Sequence, residues 1–363
     1  MTIPLFKPSV SEEEIEAVTR VMRSGWWAMG PEVEAFEEEF AAYTGTLYAV
    51  AVSSGTAALE LAARATGITG STVIVPALTF VSTALAMKHA GNKVVFADVC
   101  EEDLVIDWED VQDKHQEHRA RAVVPVWYGG DVVAPGVDYS HDFPQTLIED
   151  CAHAAGSKLA GKVGAAACWS FHAVKNLATG DGGMVTTNDP MVAARLKPLR
   201  WVGIDKSTWE RDQGRYGWDY DIPADGQKAH MNDITAAIGR VQLRRLDEMN
   251  FNRWVKAKNY NQSFSDLGWL TIPVVTSMNS NHLYVVRVAS ANRNKFIDHM
   301  LAHDVAAGVH YKPLTKYPHL FPGPHDVPVT ERVWQEIVTL PLYPDLTEGE
   351  QAKVIETVRS FKA

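Results

Sequence analysis

Residues 46–99 read TLYAVAVSSGTAALELAARATGITGSTVIVPALTFVSTALAMKHAGNKVVFADV, and their rhythm decides the fold class. Short apolar runs (LYAVAVSS, TVIVPA, KVVFADV) alternate with segments of helical spacing (TAALELAARATG, FVSTALAMKHAG). That alternation predicts βαβ units and a mostly parallel sheet. Further buried strands are expected at AVVPVW, TLIED, ACWSFH and GGMVTT, giving seven strands in one large α/β domain. In such a sheet, ligand groups gather at the carboxyl ends of the strands.

Outside this core, SEEEIEAVTRVMRSG reads as a helix opened by Ser11 with Glu14 three residues on, a capping-box pattern. PEVEAFEEEFAAYTG gives a second amphipathic helix. Residues 203–230 hold four glycines and one proline, mix polar and aromatic side chains, and lack any regular period. A long irregular stretch inside a compact enzyme is a candidate functional segment. The run MNDITAAIGRVQLRRLDEMNFNRWVKAKNYNQSF is expected as one or two long helices. The pieces HLYVVRV, KFIDHMLAHDV, GVHYKPL and EGEQAKVIETVRSF then form a smaller C-terminal α/β domain, with the boundary near residue 245: 1–245 large, 246–363 small.

The 363-residue chain is long enough for two domains, and 46% hydrophobic residues support a sizeable core. A net charge of -11 argues against nucleic acid or anionic membranes as general partners. Cys100, Cys151 and Cys168 show neither CxxC spacing nor a disulfide framework. Together with the absence of a signal-like N-terminus or a spanning stretch, they predict a cytoplasmic protein without a metal site.

The chemistry concentrates where strands end. Lys175, in WSFHAVKNLATGDGG, lies 25 residues beyond Asp150 of LIEDCAHA. An amine that can hold an aldehyde and a carboxylate that can face a ring nitrogen are the two ends of a pyridoxal phosphate (PLP) site. VSSGTAAL ends one strand and opens a helix, so Ser54, Gly55 and Thr56 offer amides and hydroxyls to a phosphate. The plainer reading of that run is an ordinary capped helix. Ser170 is a second phosphate or lysine-orienting hydroxyl, Phe80 an aromatic face for a pyridine ring, and His153 a neighbour of the ring's phenolic oxygen. Taken singly, each reads more simply as a buried strand serine, a core phenylalanine and a structural histidine, and Asp150 as a turn cap. TGDGGMVTT is glycine-rich but fits neither the P-loop order nor GxGxxG, and reads as a turn seating the lysine loop.

The ordered set of SGT, an aromatic after a strand, ED with histidine three residues on, and SFxxxK before a glycine-rich turn resembles the DegT/DnrJ/StrS family of PLP-dependent sugar aminotransferases. SGWWAMGPEVEAFEEEFA, FADVCEEDLVID, MNDITAAIGRVQL, HLYVVRV, GVHYKPL and LPLYPDLT extend the resemblance over nearly the whole chain. It implies the fold type I, aspartate aminotransferase-like architecture. Within it Lys175 looks like the Schiff-base lysine and acid/base, Asp150 the partner of the ring nitrogen, Ser170, Gly55 and Thr56 phosphate ligands, Phe80 the stacking aromatic and His153 the group beside the phenolic oxygen.

SFHAVKN, LTFVST and the segment around GIDKSTWERD most resemble the UDP-4-amino-4-deoxy-L-arabinose aminotransferase branch. The resemblance implies a homodimer with shared sites, with Lys228 and His230 contributed across the interface. Glutamate is then the implied amino donor, and a nucleotide-linked 4-keto or 3-keto sugar the acceptor, in a ping-pong reaction; cyclitol ketones are the minor alternative. Candidate substrate contacts are Trp26, Met29, His172, Trp209, His230, His310 and Tyr311, and Lys206, Arg211, Arg215 and Tyr216 join Trp209 in a segment that could close over a diphosphate. The plainer reading of that segment is a solvated loop. The family usually has threonine or serine near Ala28, histidine at Trp127, and arginine or asparagine at His230. A pyridoxamine-dependent dehydratase on the same fold carries histidine in place of the lysine, so Lys175 speaks against it. A non-catalytic regulator would have no need of the Asp150, Ser170 and Lys175 set.

Overall fold

A computed structural model describes residues 2–132, 146–213 and 217–362. Its main sheet has seven strands: β1 Tyr48–Val52, β2 Thr72–Pro76, β3 Lys93–Ala97, β4 Ala122–Val123, β5 Thr146–Asp150, β6 Ala166–Ser170 and β7 Gly183–Thr187. Their order is β1-β7-β6-β5-β4-β2-β3. The links from β3 through β2, β4 and β5 to β6 are parallel, whereas β7 runs antiparallel to both β6 and β1. The six strands other than β7 therefore point one way, and their carboxyl ends share one edge.

Alternation along the strands explains the layering. Val73 and Val75 pack with Leu59, Leu61 and Phe96 on one face, while Ile74 packs with Phe36, Phe40 and Trp169 on the other. Both faces are covered by helices, as parallel sheets require. The segment AVVPVW pairs as a strand only at Ala122–Val123. Pro125 has no amide to donate, and beyond it contact with β5 continues only as an isolated bridge from Val126 to Asp150.

Helix α1 (Glu12–Ser24) carries the expected capping box of Ser11 and Glu14. Helix α2 (Pro31–Thr44) starts on Asp233, whose Oδ1 accepts from the amides of Gly30 at 2.8 Å and Val33 at 3.1 Å. Asp233 opens a single unbroken helix, Asp233–Phe264, which passes straight through residue 245. A second, antiparallel sheet of β8 Leu270–Thr271, β9 Tyr284–Val288 and β10 Ile337–Leu340 follows. It packs with the helices Ser290–Ala302 and Glu348–Ser360, and Ile3 joins this core from the N-terminus. GVHYKPL forms no strand; Gly308 makes only an isolated bridge to Thr339.

Within residues 203–230 the structure places a short helix, Thr208–Gln213, that no apolar period signals. Arg215 and Tyr216 lie outside the described residues. Among the described residues no helix is long and apolar enough to cross a membrane, and no cluster of His, Cys, Asp or Glu is arranged to hold a metal.

Candidate active site

Four strand ends deliver the candidate residues to one cavity of about 360 Å³. The chain leaving β1 supplies Ser54, Gly55 and Thr56; that leaving β2 supplies Phe80; β5 ends in Asp150, with His153 just beyond; β6 ends in Ser170, followed by His172 and Lys175. His310 and Tyr311 close the cavity from the C-terminal part, and Phe6 from the N-terminus.

The floor under Ser54 and Gly55 is tight for a reason. Ser54 Oγ caps α3 (Gly55–Ala65) by accepting from the Ala57 amide at 3.1 Å. A Cβ at Gly55 would lie 2.8 Å from the Cβ of Ser170. Only glycine lets the helix start come this close to the end of β6. Among the described residues the amides of Gly55 and Thr56 find no acceptor. At a helix N-terminus such amides are anion ligands, and the hydroxyls of Thr56, Ser82 and Ser170 stand beside them. Thr56 Oγ1 donates to Ser82 Oγ at 2.8 Å.

Asp150 is 4% exposed and accepts from Thr83 Oγ1 at 2.8 Å and from the Ala152 amide at 3.1 Å. Burial pushes its carboxyl up, while those two donors and the charge of Lys175 draw it back down. Burial lowers the Lys175 ammonium to about 8, against the opposing pull of Asp150. A neutral amine is therefore accessible near physiological pH.

His153 is buried and bonded at both nitrogens. Nδ1 accepts from the Gly129 amide at 3.3 Å, so the neutral ring carries its proton on Nε2, which donates to Tyr311 Oη at 2.9 Å. Burial, first, and then the nearby Lys175 charge hold His153 well below the usual histidine range. With its oxygen already accepting, Tyr311 has its own O–H free to donate into the cavity. Phe80 is 55% exposed, with its ring 5.7 Å from that of Tyr311, so an open aromatic face rather than a core side chain stands at the site. An amine, a buried carboxylate, an open aromatic ring and the amides of a helix start on one wall fit PLP.

Other candidates lie elsewhere in this chain. Met29 is 5% exposed and packs in the apolar core with Val33 and Phe36, so the cavity is beyond its reach. Trp26 and Trp209 meet edge to face at 4.8 Å and line a separate cleft with Arg20 and Asp233. Lys228 Nζ lies 3.6 Å from the centroid of the Trp201 ring, and His230 packs on the same indole at 4.3 Å. Neither lines the cavity of its own chain. Trp127 is fully buried and donates its indole N–H to Glu149 at 2.8 Å, which removes it from any contact with a substrate.

Sequence reasoning misses Ser82, Thr83, Asn176, Phe6 and His282, which stand at or beside the site. Thr83 sits one helical turn after Phe80 in LTFVST, a spacing that could have flagged it. Asn176 adjoins Lys175. Phe6 and His282 are distant in sequence and carry no local signal.

A family model, the DegT/DnrJ/EryC1/StrS aminotransferase family, matches residues 8–359. The chain belongs to this family. Among curated proteins it is 37% identical over 380 aligned positions to the spore coat polysaccharide biosynthesis protein SpsC of Bacillus subtilis, covering 99% of this chain and 97% of the relative. Among solved structures it resembles the putative sugar aminotransferase Spr1654 from Streptococcus pneumoniae in its apo form, with TM-score 0.88, 28% identity and coverage of 99% and 97%; PMP and PLP forms of that protein match as well. It also resembles S. venezuelae DesV in complex with a ketimine intermediate, with TM-score 0.85, 30% identity and coverage of 96% and 94%. This DegT-family enzyme is thus a PLP-dependent aminotransferase of fold type I.

Proposed function

We propose that the enzyme moves an amino group from glutamate to the keto carbon of a nucleotide-linked 4-keto or 3-keto sugar, in two half-reactions at the one cavity. The observation that carries this reading is the convergence of Lys175, Asp150, Phe80 and the start of α3 on a single cavity. Bound there, PLP would supply an electron sink that eases loss of the proton beside the transferred nitrogen.

The chain's own residues do the rest. Lys175 would hold the cofactor through Nζ and, once free as an amine, would serve as the acid/base that moves the proton of the amino donor. Its lowered affinity for protons suits both tasks. Asp150, fixed by Thr83 and Ala152, would supply the negative charge that the ring nitrogen needs. The amides of Gly55 and Thr56, with Ser170, would take the phosphate, and Phe80 would offer its open ring to the cofactor. Tyr311, oriented by His153, donates its proton to an anionic oxygen of cofactor or donor. Of the candidate substrate residues, His172, His310 and Tyr311 line the cavity on this chain.

Lys228 and His230 are assigned to the partner's site in a homodimer, since on their own chain they stack on Trp201 outside the cavity. The likeness to the UDP-4-amino-4-deoxy-L-arabinose branch supports a sugar nucleotide as acceptor, and the free thiols of Cys100, Cys151 and Cys168 suit a cytoplasmic enzyme.

Incubating the yellow holoenzyme with glutamate should bleach its cofactor band, and a panel of keto sugar nucleotides should restore it. Restoration by a cyclitol ketone alone, or by a keto sugar lacking the nucleotide, would refute the acceptor class.

A further inference from the structure

The residue after Lys175 makes more bonds than its neighbours. Asn176 is 3% exposed, and its Nδ2 donates to Asn250 Oδ1 at 2.7 Å and to the Ser280 carbonyl at 2.8 Å. Those two oxygens fix which way the amide faces. Its Oδ1 therefore points at His282, whose Nδ1 lies 2.8 Å away and must be the protonated nitrogen. Every donor of the amide is used. Asn250, on the long helix, donates in turn to the Ala155 carbonyl at 2.9 Å. Ser280 Oγ donates to the His153 carbonyl at 2.6 Å. One buried network thus joins the lysine loop, the long helix, the segment entering β9 and the turn that carries His153.

Lys175 lies between this clamp and a turn. Its own amide donates to the His172 carbonyl at 2.8 Å, and Ala173 donates to Gly180 at 2.8 Å. A lysine stem is long and loses substantial rotamer freedom when its tip is placed. Fixing the backbone on both sides limits where Nζ can reach, and small displacements of a reacting group cost rate heavily.

We infer that Asn176 is a positioning residue for the reaction: it pins the backbone of Lys175 to Asn250 and to residues 280–282, so that the amine meets the cofactor aldehyde at a fixed place. The inference rests on Lys175 being the residue that holds PLP. A merely structural asparagine would support the cavity as a whole, and its loss would weaken every ligand alike. A positioning residue affects the lysine alone.

Two measurements on the full-length protein separate these cases: the rate at which added PLP becomes fixed to Lys175 by borohydride, and the affinity for pyridoxamine phosphate, which needs no lysine. In Asn176→Ala the attachment rate is expected to fall about tenfold or more, with pyridoxamine phosphate affinity within about twofold of wild type. Asn250→Ala should slow attachment in the same direction, and the double variant should be no slower than Asn176→Ala, because Asn250 meets the lysine loop through its bond to Asn176. Should Asn176→Ala fail to fold, Asn250→Ala, which leaves the residue beside Lys175 intact, carries the same comparison. Wild-type attachment rates in the variant, an equal loss of pyridoxamine phosphate, or multiplicative effects in the double variant would overturn the inference. A wild-type chain that fixes no PLP at all would overturn the assignment of Lys175 instead, and the clamp with it.

Discussion

Replacing Thr83 by valine tests how Asp150 is kept charged. The Thr83 hydroxyl has one proton and two acceptors within reach, the Phe80 carbonyl at 3.1 Å and Asp150 Oδ2 at 2.8 Å. Thr79 shares a further hydrogen bond with it at 2.8 Å. The carboxylate is nearer and charged, so it takes the proton. A hydrogen bond to a charged group is worth about 1.5–3 kcal/mol, which corresponds to about 1–2 pKa units. Burial already pushes Asp150 up, with Thr83 first among the groups opposing it.

The sign follows directly. Removing a donor to the carboxylate raises its pKa, so as pH falls Asp150 becomes protonated earlier and its charge opposite the ring nitrogen is lost earlier. The acid limb of log kcat/KM for the amino-donor half-reaction, which reports free-enzyme groups, should move to higher pH by about 1–2 units in Thr83→Val. Valine keeps the shape of threonine, so cofactor content should change little. An acid limb that stays put, or moves down, would refute the argument that Thr83 holds Asp150 in its charged form.

Other perturbations address the remaining parts of the site. In cofactor-free protein, the rate of PLP attachment should rise with pH through about 8 and level off above it, because the Lys175 ammonium must lose its proton first; a rate flat across that range contradicts the lowered value. Gly55→Ala places a methyl group 2.8 Å from Ser170 Cβ. Overpacking of this kind costs about 1–3 kcal/mol, so PLP affinity by equilibrium titration should fall roughly tenfold or more, and unchanged affinity would remove α3 from the phosphate site. Tyr311→Phe leaves the His153 Nε2–H without its acceptor; the enzyme should keep its cofactor while kcat/KM drops about tenfold, and an unaffected rate would show that the Tyr311 proton is not used.

Much of the fold is legible in the sequence. The alternation in residues 46–99 anticipates β1 to β3 because each strand is covered on both faces, which turns its period into an apolar run. The direction of β7 is not legible, since a buried antiparallel strand has the same apolar text as a parallel one. Asp150 shows why single residues mislead: it bonds to the Ala152 amide two residues on, as a turn aspartate would, and also faces the cavity. Both readings of it are correct. Phe80 reads as core by composition, yet it is open because it begins α4 (Val81–His89) at the sheet's carboxyl edge.

Trp127 and Met29 go the other way. Trp127 stands where the family usually has histidine, but its indole serves Glu149, a fully buried carboxylate that also accepts from the amides of Gly161, Val163 and Gly164. Such a carboxylate needs donors from wherever the chain passes, and sequence spacing does not reveal which. The same holds for Asn176, whose partners lie 74 and more residues away. Local text locates the strand ends and their chemistry. Long-range polar bonds, which decide how Lys175 is held, emerge only with the packed chain.

The central claim is that Lys175 holds the cofactor. Reducing the PLP-loaded enzyme with borohydride, digesting it and mapping the pyridoxyl mass by tandem mass spectrometry tests this directly. One modified residue is expected, Lys175, with no covalent label in Lys175→Ala. A label on Lys228 or another lysine, or undiminished labelling of the Lys175→Ala chain, would contradict it.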